Sequence, residues 1–292
     1  ELARPATGRA QDGTAAPYGN LTSGVPLYAD LVVVVASELD SRCDAQCSVR
    51  GYSEVCQRDP ATGRPTFGFV NVCPCAVPPA RLDTKFASTL SAMALDFASF
   101  TGLVLHELLH VAFATTRSFA YYRDDAGDAC TARDECGQVL SAATFPDNNS
   151  PLPDPTCNIL QLSPTGNPRL ATQRAVRAVA ALTGCPEATV AQAGGMLLHT
   201  DYSHMHPRYK CSVLHPVPPM DTRSCPRDYP CLDQLLAGWM EDTGWFGVKR
   251  TCAQAVYGVD AGCIYNQDSM QWCNATFGAW DPTNLFCTVK NE

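Results

Sequence analysis

Sixteen cysteines spread from Cys43 to Cys287 constrain this 292-residue chain more than any other feature. Their number is even, which permits up to eight bridges, and a cytosolic chain of this size would rarely keep so many thiols. Zinc clusters are the rival use. Their spacing is missing, because no CxxC pair occurs and Cys73-Pro-Cys75 is too tight for a zinc knuckle. The cysteines therefore predict a disulfide-braced fold made in an oxidising, extracellular compartment. Three glycosylation triplets, Asn20-Leu-Thr22, Asn148-Asn-Ser150 and Asn274-Ala-Thr276, agree with a secretory route.

Charge and hydropathy narrow the function. The chain has 21 basic against 29 acidic residues, a net charge of −8, and so lacks the basic face that a nucleic-acid binder needs for phosphate contacts. With 46% hydrophobic residues it has enough apolar mass for a sizeable core. No 18-residue apolar run is present; the most apolar stretch, Leu103 to Ala114, is interrupted by His106, Glu107 and His110, so no membrane span is expected in this chain. The first ten residues carry no signal-peptide core and the last five, TVKNE, no lipid-anchor tail; such segments would lie outside this chain.

Residues 1–27, rich in Gly, Pro, Ala and Thr, read as an extended lead-in. The β-branched run Leu31 to Ala36 predicts a buried strand, and Thr66 to Val72 a second, after a turn between Pro60 and Pro65. A helical stretch from about Leu82 to Ala114 is expected as two helices with a break near Ser99 to Gly102. Further helices are expected at about Thr172 to Thr183, closed by Gly184 in a left-handed cap, and at about Leu232 to Asp242. Residues 205–231 read as a proline-rich loop, and those after 250 as a disulfide-stapled tail.

The segment Leu105-His106-Glu107-Leu108-Leu109-His110-Val111 carries the chemistry. Residues four apart lie one turn apart on one helix face, so His106 and His110 can reach the same metal ion. Glu107 sits about 100° around the helix, placed to polarise a metal-bound water rather than to ligate. Leu105, Leu108, Leu109 and Ala112 make a back face that anchors the helix. The plainer alternative is a core helix with two satisfied histidines, but two of only six histidines fall at the ligand spacing with Glu between them. A catalytic zinc needs a third protein ligand and a fourth position left for water. His199, His204, His206 and His215 cluster far downstream, and spacing alone does not choose among them.

These residues give the chain a specific resemblance. It resembles the leishmanolysin family of zinc metallopeptidases, of the metzincin group, in which a long insertion separates HExxHxxGF from a third histidine in a GSHW-like segment. The similar stretches run in the family's order from about residue 28 to 275. They are Val55-Cys-Gln-Arg-Asp59 with Arg64-Pro65, Phe69-Val-Asn-Val-Cys-Pro74, Val104 to His110, and Tyr121-Tyr-Arg-Asp124. Gly184-Cys-Pro186, Gly194-Gly195, Ser203-His204 and Met240-Glu-Asp-Thr-Gly-Trp245 continue the series. The resemblance carries the third ligand onto His204, and it implies that a prodomain-bearing N-terminal portion and a C-terminal domain are missing from this chain.

Two positions depart from the family pattern. Phe113 stands where the family has the Gly that turns the chain after the second histidine, so the helix is expected to run on past it. His215 stands where the family has a Met beneath the metal, and Met220 follows five residues on. His215 is expected to pack under the zinc; as an extra ligand it would block the water position. His199 competes with His204 as third ligand, His206 faces solvent or backs a ligand, and Asp201 either orients a ligand imidazole or lies on the surface. Tyr121 to Asp124 either lines a cleft or packs as a turn, and Trp239 and Trp245 belong to the core.

The expected fold is α+β, metzincin-like: a twisted sheet with the HELLH helix in an upper lobe, and a disulfide-rich lower lobe of helices and loops. The expected divisions are a lead-in over 1–27, a catalytic subdomain over 28–114, a lower subdomain with the third ligand over 115–250, and a Cys-rich tail over 251–292. The expected function is that of a secreted or cell-surface zinc metalloendopeptidase acting on protein or peptide substrates. One zinc ion per chain is held by His106, His110 and His204, and Glu107 is the general base. The alternatives are an inert adhesion or binding module on the same scaffold, and a closed structural zinc site with His199, His206 or His215 as fourth ligand.

Overall fold

The computed structural model describes residues 29–43, 48–77, 90–124, 128–132, 139–140, 143–145, 150–209, 212–214, 232–249 and 260–266. The lead-in, most of the tail, the asparagines of the three glycosylation triplets, His215 and Met220 lie outside the described residues, as do eight of the cysteines.

The first sheet has strand order β1-β3-β2 (β1 Val32–Ala36, β2 Gly51–Arg58, β3 Pro65–Val72). The strand expected from Leu31 to Ala36 is present as β1, but it is half-buried rather than buried, with Val35 54% exposed; four consecutive valines suit such a pleated surface. β1 runs parallel to β3, with Val34 opposite Phe69, and β2 runs antiparallel to it, with Ser53 opposite Val70. The central β3 is buried along most of its length, which explains its unbroken run Phe69-Val-Asn-Val72. β2 escapes sequence reading: GYSEVCQR lacks alternation, it lies at the sheet edge, and its register shifts between Val55 and Arg58.

Against this sheet lies α1, Leu90–Ala112, a single helix of 23 residues. The expected break near Ser99 to Gly102 is absent. One helical glycine costs about 1 kcal/mol, which the flanking contacts outweigh: Leu103 and Val111 are buried against Val70 and Val72. The close approach of helix and sheet depends on Gly68, where a Cβ would stand 2.2 Å from Val111 Cγ1. The back face divides between two cores. Leu108 packs on the sheet side, while Leu105, Leu109 and Ala112 face a larger core built around Phe113, Phe119, Tyr122 and Trp239.

The rest of the described chain surrounds that larger core. α2 (Thr116–Phe119) follows α1, and a small antiparallel sheet has order β4-β5-β6 (Leu160–Leu162, Pro168–Leu170, Met196–Leu197). α3 (Gln173–Thr183) and α5 (Gln234–Asp242) fall where the sequence places helices, and Gly184 closes α3 at φ 71°. α4 (Glu187–Gln192) is a further short helix. Bridges join Cys43 to Cys73, Cys130 to Cys157 and Cys185 to Cys263, and Cys75 is disulfide-bonded as well. Cys56, exposed on β2, is a free thiol, so the eight bridges that an even count permits are not all made within the chain. The architecture is mixed α and β with small sheets, compatible with the expected α+β class. Among the described residues no helix is long and apolar enough to cross a membrane.

Candidate metal centre

α1 brings His106 and His110 onto one face, and a tight loop between β6 and Met205 delivers His204 to them from 94 residues downstream. The loop is closed by backbone bonds. His199 N–H donates to His204 O at 2.9 Å, Tyr202 N–H donates to His199 O at 2.9 Å, and Leu198 bridges Met205. Tyr202 takes a left-handed φ of 62° at the bend and sets its ring edge-on to Phe145. Asp201 Oδ1 accepts from the N–H groups of Ser203 and His204, an Asx turn that fixes the loop's exit.

The three Nε2 atoms converge. His106 and His110 stand 3.0 Å apart, His106 and His204 3.1 Å, and His110 and His204 3.2 Å. Each outer nitrogen has a partner. His106 Nδ1 donates to Val213 O at 2.7 Å, His110 Nδ1 to Ala114 O at 2.6 Å, and His204 Nδ1 to Asp201 Oδ2 at 2.6 Å. Carbonyls only accept, so the Nδ1 atoms of His106 and His110 carry the protons. The Asp201 carboxyl is held well below the usual carboxylate range: burial alone would raise it, but the bond from His204 and nearby His199 outweigh that, so it too only accepts. All three Nε2 atoms then present lone pairs to one another. Burial also keeps His110 neutral, its pKa held well below the ordinary histidine value, with His106 and His204 adding to the effect. Three converging lone pairs repel unless a cation lies among them. Tetrahedral zinc at about 2.0–2.1 Å sets its nitrogens about 3.3–3.4 Å apart, close to the spacing here. The donor set fits the ion.

Glu107, next to His106 and also buried, has its carboxyl pushed up to about 7 by burial, opposed by a 2.9 Å bond from Ser53 Oγ to its Oε2 and by His204. Ser53 belongs to β2, so the unread edge strand supplies a contact to Glu107 that no sequence motif announces.

Of the competing histidines, His199 lies with Asp201 (Nδ1 to Oδ2, 2.9 Å) rather than in the three-nitrogen cluster. His199, Asp201 and His204 form a second group of potential ligands, but the 2.6 and 2.9 Å spacings are those of hydrogen bonds and closer than tetrahedral donors stand. His206 Nδ1 accepts from Arg208 N–H at 3.2 Å. The expectation that the helix runs past Phe113 is overturned: α1 ends at Ala112. Phe113 needs no left-handed backbone, since the described non-glycine residues with positive φ are Asn158, Tyr202 and Asp260. Its ring is fully buried, edge-on to Trp239 at 5.6 Å, and the turn that follows aims Ala114 O at His110. Tyr122, from the segment that was a cleft candidate, is buried in the core, where its hydroxyl donates to Phe113 O and accepts from Trp239 Nε1.

A helix-borne histidine pair completed by a distant third histidine, with a glutamate beside the first, is the donor arrangement of zinc hydrolases. No protein-family model matches the chain. Among curated proteins it is similar to the leishmanolysin-like peptidase of Caenorhabditis elegans, 29% identical over 123 residues, which are 42% of this chain and 16% of that protein. The Caenorhabditis briggsae protein of the same name is 28% identical over 123 residues. That of Drosophila melanogaster is 29% identical over 105 residues, 36% of this chain and 13% of that protein. The matches cover less than a fifth of those relatives' own lengths. These similarities bear out the leishmanolysin-family resemblance read from the motifs.

Proposed function

We propose that the chain is a zinc-dependent metalloendopeptidase of the secretory route, extracellular or at the cell surface, acting on protein or peptide substrates. The observation that carries this reading is the convergence of three outward-proton imidazoles, His106, His110 and His204, beside the buried carboxyl of Glu107. The fold it implies is the metzincin-like one, with residues 28–114 and 115–250 enclosing the site between two subdomains.

Zinc held by the three Nε2 atoms would act as a Lewis acid that acidifies a water and polarises the scissile carbonyl. The chain's own residues do the rest. Val213 O, Ala114 O and Asp201 hold the three rings in the tautomer that frees Nε2 for the metal. Ser53 fixes Glu107 Oε2, leaving the carboxylate in one orientation. Glu107 accepts the proton of the attacking water and delivers it to the leaving amine nitrogen.

A quenched-peptide assay with and without a chelator tests the reading. Chelator-sensitive cleavage is expected. Glu107→Ala should bind zinc as the parent does and lose about 10²–10⁴-fold in kcat, the range that general-base catalysis contributes. Zinc binding with no cleavage by the parent would favour the adhesion or binding module instead. Of the two departures behind that alternative, Phe113 fits without strain, and His215 lies outside the described residues.

A further inference from the structure

The three candidate ligands differ in what holds their outer nitrogens. His106 and His110 lean on neutral backbone carbonyls, whereas His204 leans on a carboxylate. That carboxylate is engaged on both oxygens: Asp201 Oδ2 takes His204 Nδ1 at 2.6 Å, with His199 Nδ1 2.9 Å away, and Oδ1 takes the N–H groups of Ser203 and His204. An ionic acceptor binds an N–H about twice as strongly as a neutral one and makes the opposite ring nitrogen a better donor.

We infer that Asp201 is a positioning residue for the metal: by holding His204 Nδ1 it fixes the ring's tautomer and direction, and so sets the affinity of the whole centre. His204 needs such help more than its partners. His106 and His110 are spaced by a helix, while His204 rides the loop closed by the Leu198–Met205 bridge, whose bend has a side-chain residue, Tyr202, in left-handed backbone. Without the carboxylate the ring could rotate or exchange tautomers and present N–H to the other two lone pairs. His199 Nδ1 lies near the same oxygen but accepts from the Asp201 backbone N–H at 3.4 Å, so it does not hold His204.

The inference rests on the proposed metal-binding role, and the test separates the two. Zinc affinity is measured by competition with a chromophoric chelator on the full chain, with circular dichroism to check folding. Asp201→Asn keeps an oxygen for the Asx turn but sets an amide donor or a weaker acceptor against His204; it should lose about 10- to 100-fold in zinc affinity. His199→Gln should change affinity less than threefold. In a His204→Ala background, Asp201→Asn should have no further effect, since the ring it positions is gone. An Asp201→Asn protein within twofold of the parent, or an equal loss in the His204→Ala background, would overturn the inference and leave the metal site standing. Failure of the parent itself to bind zinc would overturn both.

Discussion

Phe113 shows how a residue that breaks a family pattern can be tolerated. Glycine at such a turn offers a positive φ, but here the turn is made without one, and the side chain becomes part of the core against Trp239. The site therefore borrows stability from a residue that the pattern marks as wrong. Phe113→Ala should lower the unfolding free energy by about 3–5 kcal/mol, the cost of emptying a buried phenyl site, as read by denaturant titration. Restoring the family's glycine at this position should cost at least as much, and a gain in stability would show that the ring is strained rather than packed. At this scale the sequence was informative wherever chemistry lies in side chains at helical spacing, as at His106, Glu107 and His110. It was silent about Val213 O and Ala114 O, which are backbone atoms present at every position, and about Ser53, one serine 54 residues from the carboxylate it holds.

Elements were legible in proportion to how distinctive their own residue pattern is. The valines of β1, the apolar run of β3 and the glycine-capped α3 announce themselves, while β2 carries polar residues on an edge, and α1 looks broken because contacts with the sheet are not written in its own residues. The junction of α3 and α5 holds a charge worth testing. Asp242, at the end of α5, accepts the Thr172 hydroxyl and the N–H groups of Arg174 and Ala175, tying itself to the first turn of α3. Burial dominates these bonds and pushes its carboxyl up to about 7. In an unfolded chain the same group has an ordinary value near 3.8, so between about pH 4 and 7 the folded form holds the extra proton. The contribution to stability is thus full at low pH, is lost as pH rises through 7, and is flat beyond. Asp242→Asn should remove that decline, so that its denaturation midpoint changes less than the parent's between pH 5 and pH 8. A parent midpoint that rises over this interval, with the slope unchanged by the substitution, would contradict the assignment.

At the scale of the molecule, the candidate centre sits where two cores meet on one helix. The sheet-side core fixes α1 from one flank, the aromatic core from the other, and the loop bearing His204 issues from β6. The entry to β6 is itself held: the Arg169 guanidinium and the Asn266 amide both donate to Gly195 O, and the Cys185–Cys263 bridge ties the 263–266 turn to the end of α3. Distant histidines are thus brought together by a braced frame, which no local pattern in the sequence could reveal; only the order of motifs shared with the leishmanolysin family pointed to His204. The most direct measurement is X-ray absorption at the zinc edge on the zinc-loaded protein. The account predicts one zinc per chain with three imidazole nitrogens at about 2.0–2.1 Å and one oxygen from solvent. A fourth imidazole, a sulfur neighbour, or a protein that takes up no zinc would contradict it.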